Sequence, residues 1–190
     1  MKKKLLLHIC CAPCAVYVFK KLEKDYDVTG FFYNPNIHPF KEYEFRRKEL
    51  VKVARKFNWK VVYADYDIKR WFQLTRGYEK EPERGLRCPI CFYIRFKRTF
   101  EYAEEYGFDI VTSTLSISPY KSFDQINEQG IKLSKEFNID FLPENFKKKE
   151  GYSIGKKMAM EIGIKHQNYC GCVYSIVERK LKKRNKSLFK

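Results

Sequence analysis

The sequence predicts an α/β domain built on a parallel sheet, and three observations carry that reading. Short apolar runs of strand length recur along the chain. Each is followed by a longer charged segment with helical character, and polar or reactive residues stand directly after most of the runs. Strands joined by helices imply right-handed crossovers, and such sheets bind ligands beyond the carboxyl ends of their strands.

Lys4–Ile9 (KLLLHI) reads as a buried strand, because its leucines do not alternate with polar residues. A helix follows from Ala12-Pro13 to about Glu23, with proline tolerated in the first turn. Asp27–Tyr33 is the second strand, broken by Asn34-Pro35-Asn36. A charged helix runs from about Pro39 to Phe57, with Tyr43, Leu50, Val51 and Ala54 as its inward positions. Trp59–Ala64 is the third strand, and Asp65–Arg87 a long irregular stretch. A helix from about Pro89 to Tyr106 leads to a fourth strand, Asp109–Leu115. Ser122–Phe137 is helical and Ile139–Leu142 is a short fifth strand. A helical extension closes the chain: a helix near Ser153–Ile162, the Cys170–Cys172 loop, and a basic helix from about Val173.

Four groups share the rim this topology creates. Cys10 and Cys11 follow strand one, Asn34–Asn36 strand two, Asp65 and Asp67 strand three, and Ser116–Lys121 strand four. A site at that rim is expected from topology alone.

The 190 residues contain no repeat and no linker, so residues 1–190 are expected to form a single metal-binding α/β domain. Hydrophobic residues at 44% and aromatics at 17% exclude a disordered chain. The start MKKKLLLHICCAPCA lacks the long apolar stretch of a signal peptide, and no other segment reaches the length of a membrane span. A cytoplasmic protein without a membrane partner is expected. The formal charge of +16 points to a polyanion, with nucleic acid ahead of an anionic membrane and of a merely solvated lysine-rich surface. Basic stretches lie at Lys2–Lys4, Lys41–Lys60, Lys147–Lys149 and Arg179–Lys190. Tyr152, Tyr169, Tyr174 and Phe189 stand among them as residues that can stack on unpaired bases or fill the core.

Seven cysteines fall in three tight groups: Cys10, Cys11 and Cys14; Cys88 and Cys91; Cys170 and Cys172. An odd, clustered set in an α/β chain indicates metal or redox chemistry rather than a disulfide framework. Cys88-Pro89-Ile90-Cys91 is a Cys-x-x-Cys pair, a spacing common to zinc sites, clusters and redox disulfides. Cys10 and Cys11 leave a strand together, and Cys14 falls in a first helical turn, where the dipole favours thiolate. Sulfur ligands suit zinc and iron–sulfur alike, but a ligand group beside a buried strand at a reactive rim favours a 4Fe–4S cluster over a zinc staple. Cys170-Gly171-Cys172 permits a strained, easily reduced disulfide, a metal chelate, or two unrelated thiols beside a tight turn. The bland reading of the cysteines as small buried hydrophobes suits one isolated residue better than dense groups.

His8 reads as a core histidine, and neither His38 nor His166 has metal-ligand spacing to another histidine. Asp65 and Asp67 are either ligands, proton donors or plain turn formers, and Tyr120 and Lys121 either reach a base or phosphate or sit in a solvated loop. No Walker pattern or G-x-G-x-x-G is present.

Leu5–Cys14 (LLLHICCAPC), Phe31–Pro39 (FFYNPNIHP), Arg87–Arg95 (RCPICFYIR), Thr112–Ser122 (TSTLSISPYKS) and Tyr169–Cys172 (YCGC) together resemble the QueH-type epoxyqueuosine reductases over nearly the whole chain. The resemblance implies a three-layer, HUP-like (nucleotide α-hydrolase-like) fold related to ATP-using tRNA thiolases. Those relatives carry a Ser-Gly-Gly phosphate loop where this chain has His8-Ile9-Cys10-Cys11. It implies the reduction of epoxyqueuosine, at the wobble position of tRNA, to queuosine: two electrons and two protons enter and water leaves. By the same resemblance Cys10, Cys11, Cys88 and Cys91 hold a 4Fe–4S cluster, Cys170 and Cys172 are a redox pair, and Cys14 is a further candidate catalytic thiol. A cluster normally passes one electron at a time. The second is then expected from the Cys170–Cys172 dithiol, or the epoxide oxygen is polarised by a second metal ion, iron, held by leftover thiolates or an Asp. An external electron donor is also needed. The competing functions are an ATP-dependent tRNA-thiolating enzyme of the same fold and a zinc-stabilised RNA-binding module.

Overall fold

Three successive leucines suit a strand covered on both faces. In the computed structural model, which describes residues 1–167 and 169–179, Leu5, Leu6 and Leu7 are fully buried at the centre of β1 (Lys4–His8). β1 pairs in parallel with β2 (Asp27–Phe32) on one side and β4 (Ile110–Ser113) on the other. β3 (Lys60–Tyr63) adds to β2 and β5 (Asp140–Phe141) to β4, giving an all-parallel sheet of order β3-β2-β1-β4-β5. The chain therefore winds outward from β1 in one direction and then in the other, and the reversal leaves a crevice between the ends of β1 and β4.

Side chains alternate across the sheet and divide the core in two. Leu5, Leu7, Val28, Phe32 and Ile110 pack under α1 (Ala12–Leu22), α2 (Phe40–Phe57) and, further along the chain, α6 (Gly151–Glu161). Leu6, Phe31 and Val111 pack on the other face with Phe92, Phe96 and Phe100 of α4 (Arg87–Glu105), Ile126 and Leu133 of α5 (Phe123–Phe137), and Trp71 of α3 (Ile68–Leu74). The result is the expected three-layer α/β architecture with a helical extension of α6 and α7 (173–179).

Local chemistry sets the boundaries. Pro13 stands in the first turn of α1, Ser122 Oγ caps α5 by accepting from Gln125 N at 3.3 Å, and Asn58 and Asn138 end α2 and α5 in left-handed conformations. Three expectations need correction. The stretch Asp65–Arg87 is not wholly irregular, because Asp67 accepts from Arg70 N at 3.2 Å and starts α3. The inward position on α2 is Val53, 1% exposed, rather than Val51, since Val53 continues the stripe of Leu50 and Ala54. Strand four ends at Ser113 and passes into a 3₁₀ turn, Thr114–Ile117, which tucks Leu115 into the crevice. The basic positions 180–190, including Phe189, lie outside the described residues.

Gly130 lets α5 close on the sheet. A Cβ there would overlap the ring of Phe141, itself held by Phe96 and Phe100 at centroid distances of 5.7 and 6.5 Å. Gly130→Val is expected to cost about 1–3 kcal/mol, read as a lower urea midpoint at unchanged m-value; an unchanged midpoint would show that Phe141 swings aside freely.

Candidate metal centre

The chain leaving β1 is tied at the crevice by three hydrogen bonds. Ile9 N donates to Phe31 O at 2.8 Å, Asn34 Nδ2 donates to Ile9 O at 2.8 Å, and Cys10 N donates to Thr114 Oγ1 at 3.1 Å. Cys11 is the N-cap of α1 with extended backbone, and Cys14 lies in its first turn. The sulfurs of Cys10, Cys11 and Cys14 consequently lie within 4.8 Å of one another, the arrangement of a metal-binding group.

Cys88 and Cys91, three residues apart, share one side of the first turn of α4. Both sulfurs already accept hydrogen bonds: Cys88 Sγ from Arg84 N at 3.2 Å, and Cys91 Sγ from Trp71 Nε1 at 3.4 Å. The loop before α4 is pinned through Arg84, which donates to Pro119 O at 2.6 Å and Tyr120 O at 3.1 Å, and through Arg87, whose Nη1 donates to the carbonyls of Tyr78, Glu79 and Glu81.

The third group is held from α2. Arg46, 3% exposed, pairs with Glu42 at 2.7 Å and donates to Tyr169 O at 3.1 Å and Cys170 O at 3.3 Å. His38 N donates to Gly171 O at 2.8 Å, and Tyr169 Oη donates to His38 O at 2.9 Å. Gly171 adopts φ +101°, and a Cβ there would press on Ile37 Cγ1 at 2.9 Å. Ser175 Oγ lies 3.3 Å from Cys170 Sγ and donates to Cys172 O at 2.8 Å.

All seven cysteines line one cavity of about 550 Å³ at the C-terminal ends of β1 and β4. Asn34, Asn36, Ser118, Tyr120 and Lys121 share its wall, as the rim argument expects. Asp65 and Asp67 do not: Asp67 is occupied as the cap of α3, and neither lines the cavity. His8 is the core histidine expected, with Nδ1 2.9 Å from Ser113 Oγ and Nε2 3.2 Å from Tyr33 O. Burial, aided by Arg95, lowers it to about 3 and keeps it neutral. His38 stays out of the cavity, packed on Trp71 and Phe72. His166, Tyr152 and Tyr169 line the cavity, whereas Tyr174 stacks on Trp71.

Sequence reasoning gave no role to three cations of this wall: Arg46, Arg87 and Arg95. Spacing holds a signal for Arg95, which falls four residues after Cys91 on the same helical face. Nothing comparable marks Arg46, 124 residues from the carbonyl of Cys170 that it binds.

The electrostatics sort the thiols. Hydrogen bonds from Cys11 and Cys14, then from Thr114, hold Cys10 well below the usual thiol range, while Cys11 and Cys14 are pushed up as its donors. Cys172, then Lys121 and Ser175, lower Cys170, and Cys172 is raised in turn. Burial raises Cys88. Burial also opposes the Lys121 charge, but Cys170 and Glu83, the latter at 2.8 Å, outweigh it and keep the ammonium protonated. Each of two thiol groups thus carries one activated sulfur, the form that binds soft metals or attacks disulfides.

A protein-family model described as epoxyqueuosine reductase QueH matches residues 5–178 of this chain. The chain is 43% identical to a protein of Acinetobacter baylyi named epoxyqueuosine reductase QueH, over 91% of this chain and 80% of the relative. It is 36% identical to the Thermotoga maritima protein of that name, over 94% and 93% of the two chains. A Streptococcus pyogenes relative, again of that name, is 40% identical over 92% of this chain and 71% of its own.

Arg46→Met is expected to release the Cys170–Cys172 loop. Cys170 and Cys172 should alkylate several-fold faster in the metal-free protein, with a stability loss of about 1–3 kcal/mol. Unchanged alkylation would mean that His38 and Tyr169 alone fix the loop.

Proposed function

The chain belongs to the epoxyqueuosine reductase QueH family, and on that premise we propose that it reduces epoxyqueuosine in tRNA to queuosine at a 4Fe–4S cluster held by Cys10, Cys11, Cys88 and Cys91. Cys170 and Cys172 form the second redox or metal centre, with Cys14 beside the cluster as a further thiol. The observation that carries this reading is the convergence of all seven cysteines, from three distant segments, on one cavity.

The donor set fits the group. The wall is sulfur-rich, three of the four proposed ligand sulfurs, Cys10, Cys88 and Cys91, are already depressed or hydrogen-bonded as acceptors, and the flanking charges are mostly cationic. Such a set suits soft iron–sulfur chemistry and the negative charge it brings. When bound, the cluster supplies electrons singly. Overall the epoxide takes two electrons and two protons, its oxygen leaves as water, and an external donor restores the electrons.

The chain's own residues support the rest. Lys121 favours the Cys170 thiolate, which prepares the Cys170–Cys172 pair either to give two electrons as it closes to a disulfide or to ligate a second iron. Ile37, Trp71, Phe92 and Leu115 give the cavity apolar stretches of wall. Tyr120 lines the cavity yet is 63% exposed, which suits stacking on a base brought out of its loop. The +16 charge suits a tRNA partner, and a tRNA substrate supports a cytoplasmic location. Among the described residues no helix is long and apolar enough to cross a membrane. ATP-dependent thiolation and a zinc-stabilised RNA-binding module draw no comparable support from the family match.

The test uses anaerobically reconstituted protein, epoxyqueuosine-containing tRNA and a reductant, with the modified nucleoside followed by mass spectrometry. The expected product is lighter by one oxygen atom. Cys170→Ser and Cys172→Ser should keep the cluster's iron and acid-labile sulfide but lose turnover. An unchanged nucleoside with iron- and sulfide-replete protein would contradict the reading, and full activity in the double Ser variant would remove the pair from it.

A further inference from the structure

Two buried side chains of the cavity wall, Trp71 and Arg95, are placed in a way that packing alone does not require. Trp71 is fully buried, and an indole N–H can only donate. Its partner is neither a carbonyl nor a hydroxyl but Cys91 Sγ, at 3.4 Å. The ring cannot turn away, because His38 at 4.9 Å and Tyr174 at 5.9 Å pack against it.

Arg95 follows Cys91 by one helical turn and lines the same cavity while only 3% exposed. Its Nε donates to Cys91 O at 3.0 Å and its guanidinium lies 5.3 Å from the Phe92 ring centre. Three other cations of the wall are compensated differently: Arg46 by Glu42, Lys121 by Glu83, and Arg87 by three carbonyls. Among the described residues no acid pairs with Arg95, and its terminal nitrogens have no protein acceptor. A guanidinium placed so favours negative charge in the cavity that it lines.

The geometry points to Trp71 and Arg95 as positioning residues that raise the reduction potential of the cluster, the Trp71 N–H by bonding the Cys91 sulfur and Arg95 by presenting an uncompensated cation. The inference rests on the cluster reading of Cys10, Cys11, Cys88 and Cys91. When one electron passes from an external one-electron donor to the cluster, the cluster becomes more negative by one charge and no bond is made or broken. A hydrogen bond to a ligand sulfur and a nearby cation both stabilise that more negative form. The family reaction needs electrons delivered to a tRNA-bound epoxide, and a raised potential lets a wider range of donors load the site.

The experiment is a redox titration of the reconstituted holoprotein, followed by the electron paramagnetic resonance signal of the reduced cluster, in the wild type and in Trp71→Phe, Arg95→Met and Arg95→Lys. Trp71→Phe keeps an aromatic ring without the N–H, Arg95→Met keeps length without charge, and Arg95→Lys keeps the charge. Trp71→Phe and Arg95→Met should each disfavour the reduced state by up to about tenfold, a shift of about 59 mV toward more negative potential for a one-electron couple. Arg95→Lys should stay near the wild type. Potentials unchanged in Trp71→Phe and Arg95→Met, at wild-type iron and sulfide content, would overturn this inference and leave the cluster reading standing. If Arg95→Met fails to hold a cluster, Trp71→Phe and Arg95→Lys decide: an unshifted Trp71→Phe, or a Lys variant shifted by a full decade, overturns it. A wild-type protein without iron and labile sulfide overturns the cluster reading and this inference together.

Discussion

Gathering seven sulfurs round one buried space creates a charge problem. A thiolate taken out of water is costly unless donors, cations or a metal compensate it. The response runs through every element that reaches the cavity. Cys11, Cys14 and Thr114 donate toward Cys10, Trp71 donates to Cys91, a backbone N–H of Arg84 donates to Cys88, and Lys121 and Ser175 face Cys170. Arg46 brings positive charge from α2, and Arg87 and Arg95 bring it from α4. Arg46 and Arg87 also pin neighbouring loops, and the sulfur cavity is the surrounding that these donors and cations share.

The sheet makes the convergence possible. A parallel strand order that reverses beside β1 leaves room beyond β1 and β4, and the cysteines after β1 occupy that room together with those of α4 and the Cys170–Cys172 loop. α4 spans from the wall of the cavity to the apolar layer, with Cys88, Cys91 and Arg95 near its start and Phe96 and Phe100 in the core. The site is thereby mounted on rigid elements on two sides, while the third group depends on Arg46 and the loop 34–39 for its position.

Much of this was legible in the sequence because its causes are local. Unbroken apolar runs such as Leu5–Leu7 and Phe31-Phe32 mark buried parallel strands. Residues placed just after a strand share the rim by topology, which explains why Cys10, Cys11, Asn34 and Lys121 were found. The same rule failed for Asp65 and Asp67, because β3 is an outer strand and Asp67 is drawn into capping α3. Short α3 escaped notice since its one fully buried residue, Trp71, gives no periodic signal. Arg46 carries no such signal, because the carbonyls of Tyr169 and Cys170 that it binds lie 123 and 124 residues away.

Elemental and sulfide analysis of anaerobically purified protein, with its visible and Mössbauer spectra, addresses the nature of the centre most directly. A cluster held by Cys10, Cys11, Cys88 and Cys91 gives about four irons and about four labile sulfides per chain, beyond any separate iron at the remaining thiols, and a brown chromophore that vanishes when any one of the four is replaced by Ala. Colourless protein carrying zinc and no labile sulfide would contradict it.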